Sequence, residues 1–480
     1  MRLRERASRF WREYTRMRTA ILFLIGIALI VLVGSFVPQQ DTSQQAKVDE
    51  FLAAHRHLDA LAGHLGLPLT QVFVSPLFYI LLGSLYIALA SCVLRRGTAL
   101  VRRTLRRHPR TPQYWGEWGS WLFHTSFFLL LIAVVWGKAT GFEGIATVTE
   151  GERVTEARTG FDTLREGFLF DGHHAGYQVG LNHFHAGYAA NGAPTDFVSN
   201  VTVYDHGRAV ETRDVRVNDF LGYDDVDFYQ QDYGWAPRLV VTNPSGRTVY
   251  DGTVEVFGNE KSAQAGVLKV PDFGYRLPGA AKGIQLGAKL VVLPDARARQ
   301  QLGGADAGVG ASTTYAPGGQ EARNPVLLVQ LFVGDLGLDG GRPQDVTQLD
   351  TQAMAPYFRD GRSLPVPLTG SLRLPLVGTD CAAPGAACLT LSFPELRQYS
   401  LFHVKKDNGV PLVYASFVMV MVGLLTKLYL RPVLEARRRR RTPRAAPIEP
   451  GPAPAPDYAW LASAAVEPSA DAPVSSGGGR

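Results

Sequence analysis

The chain has 480 residues, 46% of them hydrophobic and 19% charged, with a formal net charge of +6 and three cysteines. The distribution of that charge excludes a nucleic-acid footprint. Seven arginines precede Thr19, seven lie between Arg95 and Arg110, and five form the run Arg437 to Arg441, whereas the segment from Lys138 to Val410 is acidic, with 24 Lys and Arg against 31 Asp and Glu. Basic blocks sit only beside apolar runs, which is the positive-inside pattern of a membrane protein.

A basic arm, residues 1–19, leads into a first apolar run, Ala20 to Val37, which Pro38 stops. Its length, the lack of a clear small-residue cleavage site and the later runs predict an uncleaved anchor rather than a signal peptide. In the outer loop 38–75, Val48, Phe51, Leu52, Leu58, Leu61 and Leu65 recur at helical spacing, so a short amphipathic helix on the membrane surface is expected. His55, His57 and His64 on it read as solvated. The second span, 76–94, ends at Arg95 and Arg96 and carries Cys92 as a small buried hydrophobe.

A basic cytoplasmic loop, 95–117, precedes the third span, 118–137, whose core WGSWLFHTSFFLLLIAVVW is uncharged. Roughly 20 apolar residues at about 1.5 Å each cross the hydrocarbon core. His124 lies about two turns into this run, at a depth where an ionisable side chain needs a partner. Two readings are open for it: a neutral imidazole bonded to a neighbouring helix, or a ligand.

From Thr140 the pattern changes to period two with turn residues, as in FVSNVTVYD before the turn at Asp205 to Gly207, and in PRLVVT and RTVYDGTVEV on either side of Asn243 to Gly246. Residues 138–409 are therefore read as a mostly β domain, a sandwich or distorted barrel, interrupted by a flexible insertion at 303–323 whose composition cannot bury a core. A fourth span, 410–430, and a disordered cytoplasmic tail, 431–480, complete the chain. The fold class expected is a membrane protein of four transmembrane α-helices with a large mostly β extracytoplasmic domain between the third and fourth. Both termini and the 95–117 loop then lie on the cytoplasmic side of the plasma (inner) membrane.

The motifs of enzyme chemistry are missing. There is no G-x-S-x-G, no H-E-x-x-H, no Walker A loop and no C-x-x-C-H for covalent haem. Cys381 and Cys388, in CAAPGAAC, suit a structural disulfide in an oxidising compartment, a redox pair being the less favoured alternative because C-x-x-C spacing is lacking. His173, His174, His183 and His185 form a cluster in sequence, but on a strand only His183 and His185 share a face and further ligands are not evident. His403, in SLFHVKKDNGVPLVY, lies a few residues outside the fourth span; taken alone it reads as a satisfied polar residue.

These strings together resemble the ResB family, also called Ccs-type cytochrome c biogenesis proteins of system II. The resemblance is carried by SPLF at Ser75 to Phe78, the FHTSF of the third span, VTEGE at Val148 to Glu152, YQVGLNHFHAGYAANGAPTDFVSNVTVYDHG, VNDFLGYDDVDFYQQDYGWAP with Asn218, Phe228, Tyr229, Gln230, Tyr233 and Gly234, and KKDNGVPLVY. It covers roughly Arg16 to Arg437. It implies a membrane-bound assembly factor that works with a ResC or CcsA-type membrane protein to export haem b, held transiently and without a covalent bond, and to support its attachment to apocytochrome c. The chain alone is then not expected to be an enzyme but a subunit of a cytochrome c haem lyase, served by proteins of a thiol-reducing pathway. The resemblance maps a family transmembrane histidine onto His124 and an outer one onto His403, and neutral imidazole is a standard axial ligand of haem iron. The alternative is a membrane-tethered receptor whose β domain binds an outer ligand, against which the lack of a folded cytoplasmic output domain counts.

Overall fold

A computed structural model of the chain describes residues 2–441 apart from 41–44, 107–108, 190–192, 259, 277–282, 302–311, 339–346, 358–364, 378–379 and 384–385. It divides into two compact units, Met1–Thr125 with Val418–Arg480, and Ser126–Phe417. The helices are α1 (Arg2–Tyr14), α2 (Met17–Phe36), α3 (Gln45–His64), α4 (Pro76–Leu105), α5 (Pro112–Thr140), α6 (Val410–Leu425) and α7 (Arg431–Arg441), with a π-helical stretch, Thr426–Leu430, joining the last two. Among the described residues four helical segments are long and apolar enough to cross a membrane: Met17–Phe36, Pro76–Leu105, Pro112–Thr140 and Val410–Arg440.

Helix ends depart from the apolar boundaries. The loop expected over 95–117 shrinks to 106–111, because α4 continues to Leu105 and α5 already opens at Pro112. Ala, Leu and Arg are good helix formers, long basic side chains reach water from a helix surface, and proline suits a first helical position, so the helix outlasts the hydrocarbon. The tail expected from 431 is likewise helical to Arg441, where Arg431 and Glu435 pair one turn apart; the remainder of that tail lies outside the described residues.

In the first unit small residues set the helix contacts. A methyl group on Gly34 of α2 would come within 2.5 Å of Val72 and 2.6 Å of Phe73, and one on Gly26 would lie 3.1 Å from Leu81 of α4. Ser75 caps α4, accepting from the Phe78 N–H at 3.3 Å, with Pro76 just behind it. Helix α3 is broken at His55, whose backbone leaves the helical region.

The second unit is built on two long antiparallel strands, Val226–Thr242 and Ala387–Lys406. Together with strands Phe142–Thr149, Thr163–Glu166, Phe220–Tyr223, Thr248–Thr253 and Ser371–Val377 they form a seven-stranded sheet. Bulges between Ser392 and Glu395 and between Leu401 and Phe402 bend the pair, so its two ends serve different cores. One end, with Leu239, Val241, Leu389 and Leu391, packs on the five-stranded sheet of Gln264–Tyr275, Ile284–Leu293 and Val326–Gly334. The other, with Phe228, Tyr233, Phe402 and Val404, packs on the four-stranded sheet of Arg153–Thr155, Gln178–Tyr188, Pro194–Asp205 and Arg208–Arg216.

Two glycines are required by this packing. His206 and Gly207 both have positive φ in the two-residue turn that pairs Asp205 with Arg208, the primed geometry that matches strand twist. Gly234 leaves room for the Tyr399 ring, 2.4 Å from where a methyl carbon would stand, and the Tyr399 hydroxyl then donates to the Val256 carbonyl at 3.0 Å.

The flexible insertion expected over 303–323 is corrected in part. Residues 302–311 lie outside the description, but Ser312–Gly319 is a strand paired with Asp295–Gln301. Tyr315 packs against a small core of Leu293, Ala296 and Val326, an anchor that glycine-rich composition conceals.

Candidate functional site

His124 is positioned by the way α5 meets its neighbours in the first unit. Gly97 of α4 admits the Trp121 ring, 2.8 Å from a would-be methyl, and the Trp121 indole N–H donates to the Val93 carbonyl at 3.0 Å. On another side Gly119 and Gly423 bring the backbones of α5 and α6 together, a methyl on either lying 2.7–2.8 Å from the other's carbonyl oxygen. Close backbone approach through small residues is how helices associate where water supplies no driving force.

Within this frame the His124 ring is half-buried, edge-on to Phe123, with Nδ1 2.7 Å from the Ser120 carbonyl oxygen. A carbonyl only accepts, so Nδ1 carries the hydrogen and Nε2 keeps its lone pair. That is the tautomer of a metal-ligating histidine held by an outer partner. Nε2 has no hydrogen-bond partner among the described residues. The imidazole therefore has the donor that a metal ligand needs, a lone pair at Nε2.

One turn below, a cavity of about 440 Å³ opens between α4, α5 and the chain after α6, lined by Arg96, Arg103, Glu117, Ser120, Lys427 and Arg431 among others. Arg96 donates to the Ser120 hydroxyl at 3.2 Å, so Ser120 touches the cavity through its side chain and His124 through its carbonyl.

His403 belongs to the second unit. It lies in the strand Ala387–Lys406, opposite Ile145 on one side and Tyr229 on the other. Its Nε2 is 2.8 Å from Glu143, 260 residues away, and its Nδ1 has no hydrogen-bond partner among the described residues. Burial works to raise the Glu143 carboxyl, but the hydrogen bond with His403 and the charges of Lys138 and Lys405 outweigh it and hold the group below the ordinary carboxylate value. A carboxyl lowered in the folded state stabilises while it is ionised and loses that contribution as pH falls through its folded value. Glu143→Gln should accordingly lower the thermal midpoint at neutral pH, and the gap to wild type should close as acidification passes below the ordinary carboxylate range. Because the pair is half exposed, the effect is about 1 kcal/mol or less. A gap that ignores acidification would assign Glu143 a packing role instead.

The other histidines do not gather. His183 and His185 are exposed on either side of buried Phe184, and among the described residues no three His, Cys, Asp or Glu side chains stand close enough to share a metal ion. His174 instead occupies a buried polar knot that the sequence did not disclose. Its Nδ1 is 2.6 Å from Glu156 and its Nε2 3.2 Å from Glu166, with Phe142, Phe161 and Phe170 around the ring. Glu156, 2% exposed, also accepts from the Ala175 N–H at 2.5 Å. The Arg158 guanidinium, donating to Glu166 at 2.6 Å, holds that carboxyl below its usual range. Cys381 and Cys388 are bonded to each other, and Cys92 in α4 is free.

A cytochrome c biogenesis protein CcsB of Synechococcus sp. (strain JA-2-3B'a(2-13)) is 23% identical over 460 residues, 86% of this chain and 82% of that protein. Another CcsB, from Synechococcus sp. (strain JA-3-3Ab), is 24% identical over 319 residues, 64% of this chain and 49% of its own length. A third, from Trichormus variabilis (strain ATCC 29413 / PCC 7937), is 31% identical over 132 residues, 27% of this chain and 28% of the relative. The model of the ResB-like family matches residues 17–114 and 112–439, and so takes in the four apolar helices, His124 and the β unit with His403. The chain belongs to the ResB-like family.

Proposed function

We propose that this protein is a membrane-bound assembly factor of c-type cytochromes, which takes haem from the inner side of the membrane and, with a multi-span partner of the ResC or CcsA type, supports its attachment to apocytochrome c outside. The relatives are named for cytochrome c biogenesis, and basic blocks flank the apolar helices; by the positive-inside rule both termini would be cytoplasmic and the β unit extracytoplasmic. The observation that carries the reading is the His124 ring: an imidazole within an apolar helix whose Nδ1 lies 2.7 Å from the Ser120 carbonyl oxygen and whose Nε2 has no hydrogen-bond partner among the described residues.

Haem is the cargo in this scheme. His124, from α5, would hold its iron through Nε2, together with a histidine of the partner. Phe123, whose ring stands edge-on to His124, offers apolar surface beside it. His403, through Nδ1, would serve an outer site after Glu143 has fixed its ring. The β unit docks the partner and the apocytochrome, whose cysteines and iron must arrive reduced for the thioether bonds to form.

Deleting the gene and staining cell membranes for covalent haem tests the reading. Every c-type cytochrome should disappear at once and return with the plasmid-borne gene. Retention of the full set of stained bands would remove the assembly role, and loss of a single band would indicate a factor dedicated to one cytochrome.

A further inference from the structure

The cavity below His124 is lined by cations from three directions. Arg96 and Arg103 stand seven residues apart on α4, Lys427 comes from the π-helical stretch after α6, and Arg431 opens α7. The Arg431 side chain lies directly on Gly116, where a methyl would meet its Cδ at 2.6 Å, so a glycine on α5 makes the space that lets this arginine turn inward. One carboxylate lines the cavity, Glu117, paired with Arg103 at 2.6 Å, and Arg431 is paired with Glu435, outside the lining, at 2.8 Å. Lys427 has no carboxylate within ion-pair distance among the described residues. The lining is completed by neutral Gln113 and Ser120 and by apolar Ala99 and Leu100. Unbalanced positive charge, neutral polar groups and an apolar floor in one space suit an anion carried on a hydrophobic body.

We propose that this cavity binds the anionic end of an amphiphile, a carboxylate or phosphate, whose apolar part lies along α5 toward His124. Ser120 fixes the distance: four residues, roughly 6 Å of helix, separate the cavity from the imidazole. Arginine is suited to such oxygens because its planar fork can bond two of them at once, and basic pockets between membrane helices on the cytoplasmic side hold lipid headgroups by the same means. Two sources share this chemistry, the propionate carboxylates of haem and the phosphate of an anionic phospholipid. The first deepens the proposed function and rests on it; the second does not.

Full-length protein in lipid nanodiscs separates them. In one arm, haem and its dimethyl ester are titrated by absorbance; in the other, the retention of phosphatidylglycerol against phosphatidylcholine is read by native mass spectrometry. Wild type should favour the charged form in at least one arm by about tenfold, as expected for charge-assisted contacts. Lys427→Ala with Arg431→Ala should reduce that preference severalfold, with the thermal midpoint and the absorption spectrum of any bound haem unchanged. If the double variant is unstable, Lys427→Gln alone should give a smaller loss in the same arm. Equal binding of charged and neutral forms in both arms, or an unaltered preference in the variants, overturns the proposal. Haem that binds wild type but is indifferent to esterification defeats the propionate source while the His124 reading stands; failure of wild type to bind haem at all defeats that reading and leaves the phospholipid arm to decide this one.

Discussion

Alanine at position 124 should strip haem from the purified complex by tenfold or more and abolish cytochrome c maturation, with the protein still inserted and folded. The fold should survive because alanine is the best helix former and, among the described residues, the imidazole bonds only to a carbonyl of its own helix, Ser120. The helix contacts around it are made by Gly97, Trp121, Gly119 and Gly423, none of which is altered. What disappears is the nitrogen lone pair at Nε2, the donor that the proposed function assigns to haem iron. His124→Gln supplies the control: it restores polarity and volume but offers an amide, a poor haem ligand, and should fail like alanine. The readout is the absorption spectrum of the complex and covalent-haem staining of membranes. Unchanged haem content in His124→Ala, with unchanged staining, would remove this residue from the mechanism.

Glu156→Ala should lower stability by about 3–5 kcal/mol, the largest loss expected from a single change in the β unit, because it removes one partner of a buried pair and strands the other. The side chain is 2% exposed and receives both the His174 ring at 2.6 Å and the Ala175 N–H at 2.5 Å. Alanine leaves a backbone donor unsatisfied and an imidazole facing an empty site among Phe142, Phe161 and Phe170. A loss of this size is a large fraction of a domain's total stability of roughly 5–15 kcal/mol. It should therefore appear as a steep fall in the thermal midpoint and as proteolysis of the 153–178 segment. Combining it with His174→Ala should cost less than the sum of the two single changes, since each removes the same contact. Additive losses, or a midpoint within a degree of wild type, would mean that the knot contributes little.

Four apolar helices, the basic blocks at their ends and the alternation of the β unit were legible in the sequence because each is a local property, read from neighbouring residues. The out-of-place histidine of α5 was legible for the same reason, and so in principle was its bond to Ser120, one turn earlier on the same helix. Helix ends were misjudged where hydropathy and helix propensity part: Arg95 to Leu105 leave the apolar run without leaving the helix. The strand Ser312–Gly319 was misjudged because pairing with Asp295–Gln301, rather than composition, orders it.

Partners drawn from distant stretches are what only the tertiary structure decided. His174 meets Glu156 and Glu166 because separate turns of chain close over one aromatic cluster; His403 meets Glu143 because the first and last strands of the β unit are neighbours. The cavity of Arg96, Arg103, Lys427 and Arg431 exists because glycines let three helical segments converge. Periodicity along a chain dictates which face is buried, but a side chain's hydrogen-bond partner is fixed by strand register and helix crossing, which are set by contacts between residues that have no relation in sequence.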